Sequence, residues 1–213
     1  MTDVQNQIDT RGIKIQQTGV TGVHLPFFIF NQQVLAKIRF TVALNERIRG
    51  THMSRLMEIL TDWSAVPIKI SDVEKILREA IEKLDTDFSA IRMAFKFFVK
   101  RTAPISARVS LLDIDCEIAE ELSRSGAFDF SLSLAVPFTS LCPCSKEISD
   151  FGAHNQRSIC RVKLDFADVD NIDVEKIVQL IESQGSSKVY PILKREDEKF
   201  VTEAAYQNPK FVE

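Results

Sequence analysis

The sequence predicts an α+β fold built on an antiparallel sheet with helices on one face. Three observations predict this class. Several long segments alternate apolar and polar residues with a period of two, which is typical of half-buried strands. Two other segments repeat apolar residues at helical spacing. The order of the segments is strand, strand, helix, helix, strand, strand, and this order begins again in the second half of the chain.

The first strand pair is predicted at residues 23–30 and 34–44. In the second of these segments the apolar residues fall on one face: Val34, Ala36, Ile38, Phe40, Val42 and Leu44. Pro26 lies in the first segment and cannot donate a hydrogen bond to a neighbouring strand, which favours an edge strand or a bulge. The pair therefore reads as a hairpin that lies at an edge of the sheet or contains a bulge.

Two helices are predicted next, one over residues 53–63 and one that begins at Ser71. Ser71 and Glu74 have the spacing of a capping box, and apolar residues follow them at helical intervals. Strands over residues 88–102 and 107–118 then complete a ββααββ half, for which we set the bounds 1–124.

The second half, residues 125–213, begins in the same way. Strands are predicted at 128–136 and 158–166, a helix at 174–181, and another helix starting near Thr202. Two closing strands of the pattern are absent, so this half is expected to be incomplete. Because no low-complexity linker separates the halves, we expect one domain with a continuous sheet, preceded by a flexible polar arm at residues 1–10.

Composition excludes several classes of protein. The chain has 213 residues, of which 45% are hydrophobic and 27% charged, values typical of globular domains rather than disordered ones. The formal net charge of −3 gives no general basic field for nucleic acid. No signal peptide or apolar run of membrane-spanning length is evident. Four cysteines without a secretory signal favour reduced thiols and a cytoplasmic location.

Reactive side chains are concentrated in residues 139–158, between two predicted strands. Cys142 is followed by Cys144 and, twelve residues after Cys142, by His154. Thiolate and neutral imidazole are preferred zinc ligands, and catalytic sites use about three protein ligands. Cys142 and His154 would supply two ligands, and a carboxylate from elsewhere would supply the third. Two alternatives stay open: a nucleophilic Cys142 activated by His154 or Lys146, and a loop without function.

Other candidate residues carry weaker signals. His52 and Arg55 lie at the start of the first predicted helix, where free N–H groups favour an anion. Cys116 and Cys160 fall on apolar faces of strands and are predicted to be core residues. Two short basic clusters are Lys100-Arg101 and Lys194-Arg195. Together with Arg157, these clusters would pair with a triphosphate. The run 196–198 is predicted to face solvent, although one of its members would suit the missing ligand.

Seven motifs resemble those of the type IB GTP cyclohydrolases, and the resemblance runs from about residue 15 to the last residue. They are GTHMSR (50–55), KRTAPIS (100–106), SLLDID (110–115), TSLCPCSKEIS (139–149), GAHNQRS (152–158), LKREDEKFVTEAAY (193–206) and NPKFVE (208–213). The resemblance implies the tunnelling fold, in which ββααββ halves assemble by oligomerisation into barrels. It also implies a homotetramer with active sites at subunit interfaces.

The implied reaction is the hydrolysis of GTP to 7,8-dihydroneopterin triphosphate and formate, the first step of folate biosynthesis. The family's metal ligands correspond to Cys142, His154 and Glu198, of which Cys142 and His154 are the expected catalytic residues. The family's purine-anchoring glutamate corresponds to Glu213, and His52 and Arg55 complete the expected substrate site. One divalent ion per site is expected, as Zn, Mn or Fe(II), with no organic cofactor. Family members continue past residue 213, so we expect a shortened chain.

Three other functions remain as alternatives. One is another tunnelling-fold enzyme, such as a nitrile reductase of deazapurines, with Cys142 as a covalent nucleophile and a nicotinamide cofactor. A second is a homologue that binds purine nucleotide or metal without turnover. The third is a sister activity that yields a cyclic-phosphate pterin. No nucleic-acid or membrane partner is expected.

Overall fold

The computed structural model describes residues 7–169 and 171–211 and confirms the α+β class. Its elements in chain order are β1 (Ile15–Ile29), β2 (Gln32–Leu44), α1 (Met53–Ser64), α2 (Ser71–Leu84), β3 (Phe88–Thr102), β4 (Val109–Ser123), β5 (Phe128–Leu141), α3 (Pro143–Ile148), β6 (Asn155–Asp165), α4 (Val174–Ser183), β7 (Ser187–Lys188) and α5 (Arg195–Gln207). The elements from β1 to β4 follow the predicted ββααββ order.

The described strands form one sheet in the order β1-β2-β3-β4-β5-β6, with β7 paired to β5. Pairing is antiparallel between β1 and β2, between β2 and β3, and between β5 and β7. Strand β1 is therefore an edge strand, as Pro26 predicted. Phe30 and Asn31 both have positive φ, 50° and 60°, and connect β1 to β2 through a two-residue hairpin turn.

By their mutual contacts, the described residues group into two compact units. The first unit draws on residues 7–96, 116–133, 163–169 and 171–172, and the second on 97–115, 134–162 and 173–211. Strands β3 to β6 contribute residues to both units. The predicted division into two halves at residue 124 is based on the order of the elements, which these units do not test. It therefore stays a prediction. Part of the predicted arm, residues 1–6, lies outside the described residues, while Ile8 forms a backbone bridge with Ile48.

The core of the first unit lies between the apolar faces of its strands and helices α1 and α2. Helix α1 packs against β1 and α2. The fully buried residues of this core include Phe27, Phe40, Leu56, Ile76 and Leu77. Each such side chain contributes roughly 1.5–3 kcal/mol by leaving water. Among them, Phe40 lies on a face predicted by the period-two pattern, and Ile76 and Leu77 on one predicted by the helical pattern.

The second unit buries apolar residues of its strands together with α4 and one face of α5. Val136, Leu141, Val174, Val178 and Ala205 are among its buried residues. The unit also contains an ion pair between Arg101 and Glu182, whose side chains are 7% and 0% exposed. Within the described ranges, none of the helices combines the length and the apolar character needed to cross a membrane.

The capping box predicted at Ser71 and Glu74 is wrong. The N-cap of α2 is Ile70, and Glu74 pairs with Arg78 one turn along the helix. No side chain caps the helix, and the Asp72 carboxylate instead accepts a hydrogen bond from the backbone N–H of Lys69, the residue before the N-cap, at 2.8 Å. The sequence pattern identified the correct helix but predicted a cap that the structure does not have.

The predicted start of the last helix is also wrong. Helix α5 begins at Arg195 rather than near Thr202, so the acidic run 196–198 forms its first turn. Acidic residues are favoured there by the helix dipole. The sequence analysis also missed α3, whose six residues are too few to show helical periodicity.

Candidate metal centre

Cys142 lies at the junction between β5 and α3, in the second unit. It is the N-cap residue of α3, with extended backbone angles of φ −87° and ψ 116°, and Pro143 occupies the first helical position. Proline is favoured at that position because it has no N–H to leave unpaired and its φ already suits a helix. The Cys-Pro pair therefore fixes where the strand ends and the helix begins.

The structure holds Cys142 and His154 together through their backbones. The Cys142 N–H donates to the His154 carbonyl at 3.2 Å. Ser145 adds a second connection: its hydroxyl donates to the Cys142 carbonyl at 3.0 Å and accepts from the His154 N–H at 3.1 Å. The two residues that the sequence singled out are thus neighbours, and Ser145 links them.

The His154 ring is oriented by a backbone carbonyl. Its Nδ1 lies 3.2 Å from the carbonyl oxygen of Asn155. A carbonyl only accepts hydrogen bonds, so this contact assigns the ring proton to Nδ1. Nε2 is then the unprotonated nitrogen that binds metals. This arrangement, in which the other ring nitrogen donates to a fixed acceptor, is usual for metal-binding histidines.

The pKa of the Cys142 thiol is lowered. The largest cause is a hydrogen bond from the backbone N–H of Ser145, and the backbone N–H of Cys144 acts in the same direction. The thiolate is the form of cysteine that binds metals and attacks electrophiles. This environment therefore suits both the ligand and the nucleophile interpretations of Cys142.

Glu198, the third expected ligand, lies in the first turn of α5. Its side chain is half exposed, and its carboxylate pairs with Arg195 at 3.0 Å. Among residues 7–169 and 171–211, no group of three His, Cys, Asp or Glu side chains is arranged to hold a metal ion. The structure therefore places Cys142 beside His154 but does not join Glu198 to them, and the full ligand set stays a prediction.

Helix α5, which carries Glu198, packs against the segments that carry the other two expected ligands. Leu141 precedes Cys142, Ala153 precedes His154, and both are buried in one cluster with Ala205 of α5. Phe211 packs on the same cluster. The three candidate ligands thus extend from segments that share one small core.

A close contact between Gly152 and α5 adds to this packing. Gly152 has φ +142°, and a Cβ built on it would lie 2.3 Å from Cε1 of Tyr206. Only glycine allows the chain to pass the Tyr206 ring this closely in this conformation. The position two residues before His154 is therefore fixed by a residue near the end of α5.

The remaining residues of the 139–158 segment have varied surroundings. Cys144 is exposed. The Lys146 ammonium lies 5.3 Å from the centroid of the Phe211 ring, within the range of a cation–π contact. Ser140 and Ser158, one on each flanking strand, are hydrogen-bonded through their hydroxyls at 2.7 Å.

His52 and Arg55 belong to the first unit. His52 is the N-cap residue of α1, and its carbonyl accepts from the Arg55 N–H at 3.0 Å. The Arg55 guanidinium donates to the Lys83 carbonyl, near the end of α2, at 2.9 Å. Their role in substrate binding stays a prediction. Glu213, the expected purine anchor, lies outside the described residues.

Two predictions about individual residues need correction. Cys116 is buried as predicted, and burial raises its pKa to about 12. Cys160, however, is only half-buried, because β6 alternates between exposed and partly exposed residues. Arg101 is not a surface cation for a triphosphate, since it is buried against Glu182.

Two residues near the site were not singled out by the sequence analysis. Ser145 was passed over because a serine carries no distinctive signal, although it stands one turn after the cysteine. Asp197 was treated as part of an acidic surface run, yet it is completely buried. The signal for Asp197 was its place at the third position of the helix, from which a carboxylate reaches back to the N-cap backbone.

Comparison with known proteins identifies the family. The family model described as type I GTP cyclohydrolase FolE2 matches residues 1–213. A GTP cyclohydrolase FolE2 of Geotalea uraniireducens is 44% identical over 218 residues, which cover 100% of this chain and 79% of the relative. The FolE2 of Citrifermentans bemidjiense is also 44% identical, with 80% of its length covered. That of Azoarcus sp. is 41% identical, and 99% of this chain matches 79% of it.

These matches confirm the prediction of a GTP cyclohydrolase, which the motifs around Cys142 and His154 had carried. The chain belongs to the type I GTP cyclohydrolase FolE2 family.

Proposed function

We propose that the chain hydrolyses GTP to 7,8-dihydroneopterin triphosphate and formate, the first step of folate biosynthesis. Family membership over the whole chain supports this activity. The observation that carries it at the residue level is the pairing of Cys142 with His154, in which the thiol has a lowered pKa and the ring proton is assigned to Nδ1.

The donor atoms fit a divalent metal ion. Cys142 would supply a thiolate, His154 its Nε2, and Glu198 a carboxylate. Such a mixed set suits zinc and also accepts Fe(II) or Mn with lower affinity. When bound, the ion supplies Lewis-acid activation of water. The lowered thiol pKa and the hydrogen bond at Nδ1 both favour the protonation states that a ligand needs.

The reaction sets further tasks for the chain's own residues. Water adds to C8 of the purine, the imidazole ring opens, and C8 leaves as formate. The ribose then rearranges and a new ring closes, which requires proton transfers. Glu213 would hold the guanine by accepting from its N–H donors. Arg55 and His52 would pair with the triphosphate, since both are placed at the start of a helix.

We further propose that the chain adopts the tunnelling fold and works as a homotetramer with active sites between subunits. Several large apolar residues on the strands of the second unit are exposed: Phe98, Val109, Leu111 and Ile159. Exposed apolar surface of this kind favours association with another chain. Sedimentation mass measures the oligomer, and a monomer at working concentrations would refute the tetramer.

Substitution of the two neighbouring cysteines tests the function. The metal-depleted protein is reloaded with Zn, Mn or Fe(II) and supplied with GTP, and formate and pterin fluorescence are measured together. Cys142→Ala removes a proposed ligand, so activity should fall by more than about 100-fold. Cys144→Ala alters an exposed thiol two residues away and should leave activity nearly unchanged. Equal activity in the two variants would refute the role of Cys142.

The lowered pKa of Cys142 also supports a second candidate, in which Cys142 is a nucleophile of another tunnelling-fold enzyme. That enzyme would depend on a nicotinamide cofactor and be indifferent to chelators. Loss of turnover with a chelator, recovery with added metal and no need for a nicotinamide would exclude this candidate.

A further inference from the structure

Asp197 differs from its acidic neighbours in the first turn of α5. Glu196 and Glu198 face solvent, whereas Asp197 is 0% exposed. Buried carboxylates are rare in proteins unless their oxygens are fully paired. The surroundings of Asp197 therefore indicate a specific role for its side chain.

Four hydrogen bonds converge on the Asp197 carboxylate. Oδ1 accepts from the backbone N–H groups of Ile105 and Ser106 at 2.8 and 2.9 Å. Oδ2 accepts from the Ser106 hydroxyl at 2.6 Å and from the Lys194 N–H at 2.8 Å. Three of these donors belong to the connection between β3 and β4, about 90 residues earlier in the chain. The carboxylate thus ties the first turn of α5 to a distant loop.

Each oxygen of the buried carboxylate accepts two hydrogen bonds, so neither oxygen is left without a partner. Hydrogen bonds to a charged acceptor are the stronger kind. The first turn of α5 is therefore anchored firmly.

The other end of α5 is fixed as well. Ala205 is buried against Leu141 and Ala153, and Tyr206 lies against Gly152. Those contacts bind the helix to the two segments that carry Cys142 and His154. These contacts oppose a shift or rotation of the helix, and Glu198 is the residue immediately after Asp197.

We propose that Asp197 is a positioning residue for the metal site. By anchoring the first turn of α5 to Ile105 and Ser106, it fixes the backbone of Glu198 relative to the segments that carry Cys142 and His154. This inference rests on the proposed function, because it takes Glu198 as a metal ligand. Asp197 itself is turned toward the loop and does not bind the metal.

The test compares Zn²⁺ affinity in the full chain, measured by competition with a chromophoric chelator. Asp197→Asn keeps the shape of the side chain but replaces one acceptor oxygen with a donor, which faces the Lys194 N–H. The dissociation constant for Zn²⁺ should rise by about 10- to 100-fold, the usual effect of removing a group that orients a ligand. The Co²⁺-loaded protein should show altered absorption bands, because the coordination geometry changes.

Two controls and a second test variant separate positioning from charge and from general stability. Glu196→Gln removes an exposed charge from the same turn. Val178→Ala weakens the core at another helix, α4, where Val178 is 0% exposed. Ser106→Ala deletes one of the four hydrogen bonds and should raise the dissociation constant by a smaller factor. It also serves if Asp197→Asn does not fold.

The outcomes distinguish the positioning role of Asp197 from the proposed ligand role of Glu198. Weakened Zn²⁺ binding in Asp197→Asn and Ser106→Ala, with Glu196→Gln and Val178→Ala unchanged, supports positioning. Unchanged binding in Asp197→Asn, when Glu198→Ala has lost the metal, overturns positioning but leaves Glu198 as a ligand. Wild-type affinity in Glu198→Ala overturns the ligand assignment and this inference with it. Equal weakening in Val178→Ala shows a general effect of stability and also overturns it.

Discussion

At the scale of single residues, Glu120 is the most unusual group in the first unit. It lies on the apolar face of β4 between Ile118 and Leu122 and is only 1% exposed. Neither of its carboxylate oxygens has a hydrogen-bond partner within the described part of the chain. Burial, with a smaller contribution from Glu74 of α2, raises the pKa of Glu120 to about 8. The folded protein therefore holds a neutral carboxylic acid at neutral pH.

This raised pKa predicts that the protein loses stability as the pH rises. Between the ordinary value of 4.5 and about 8, the folded state keeps a proton that the unfolded chain releases. The free energy of unfolding should therefore fall with increasing pH in this window, by up to about 1.4 kcal/mol per pH unit. Glu120→Gln, which cannot ionise, should remove this slope and be more stable than the wild type at about pH 8.

Urea denaturation across this pH range measures the effect. Glu121→Gln is the matched control, because Glu121 is the next residue on β4 and is exposed. It should keep the wild-type slope. A slope that persists in Glu120→Gln, or vanishes equally in Glu121→Gln, would contradict the buried neutral acid.

At the scale of elements, the contact between Gly152 and Tyr206 predicts the effect of a single methyl group. Gly152→Ala adds a Cβ 2.3 Å from the ring and imposes φ +142° on a residue with a side chain. We expect a loss of roughly 2–4 kcal/mol in unfolding free energy, from the strained backbone and the displaced ring together. Thermal or urea unfolding of the metal-free protein measures it.

Gly126→Ala provides the matched control for the backbone term. Gly126 also has positive φ, +92°, but a Cβ there would meet no heavy atom within 4 Å. This variant should lose only about 1–3 kcal/mol. Adding Tyr206→Leu to Gly152→Ala should restore part of the stability if the ring contact matters. Equal losses in the two glycine variants and no recovery would show that the contact contributes nothing.

Elements with a clear periodicity were predictable, and those that depend on distant contacts were not. The bounds of β3 match the alternation at 88–102, because its buried residues are apolar apart from Ser89 and Arg101, and Arg101 pairs with Glu182. The start of α5 was not predictable, because the partners of Asp197 lie on the β3–β4 loop. A buried aspartate and an exposed glutamate look alike in a linear sequence.

At the scale of the whole molecule, the site was only partly predictable from local chemistry. Spacing and residue type pointed to Cys142 and His154, and the structure places them side by side. The local pattern pointed only to the acidic run 196–198, and the resemblance singled out Glu198 within that run. Among the described residues, no group of three side chains is arranged to hold a metal ion, so the position of Glu198 in the site stays a prediction.

The C8 carbon of GTP provides the most direct measurement of the proposed reaction. The protein is loaded with one metal ion per chain, confirmed by elemental analysis, and supplied with GTP labelled with carbon-14 at C8. We predict labelled formate in a one-to-one ratio with 7,8-dihydroneopterin triphosphate, and loss of both products after the metal is removed. If the folded, metal-loaded protein binds GTP but releases no labelled formate, the chain is not a GTP cyclohydrolase in this form.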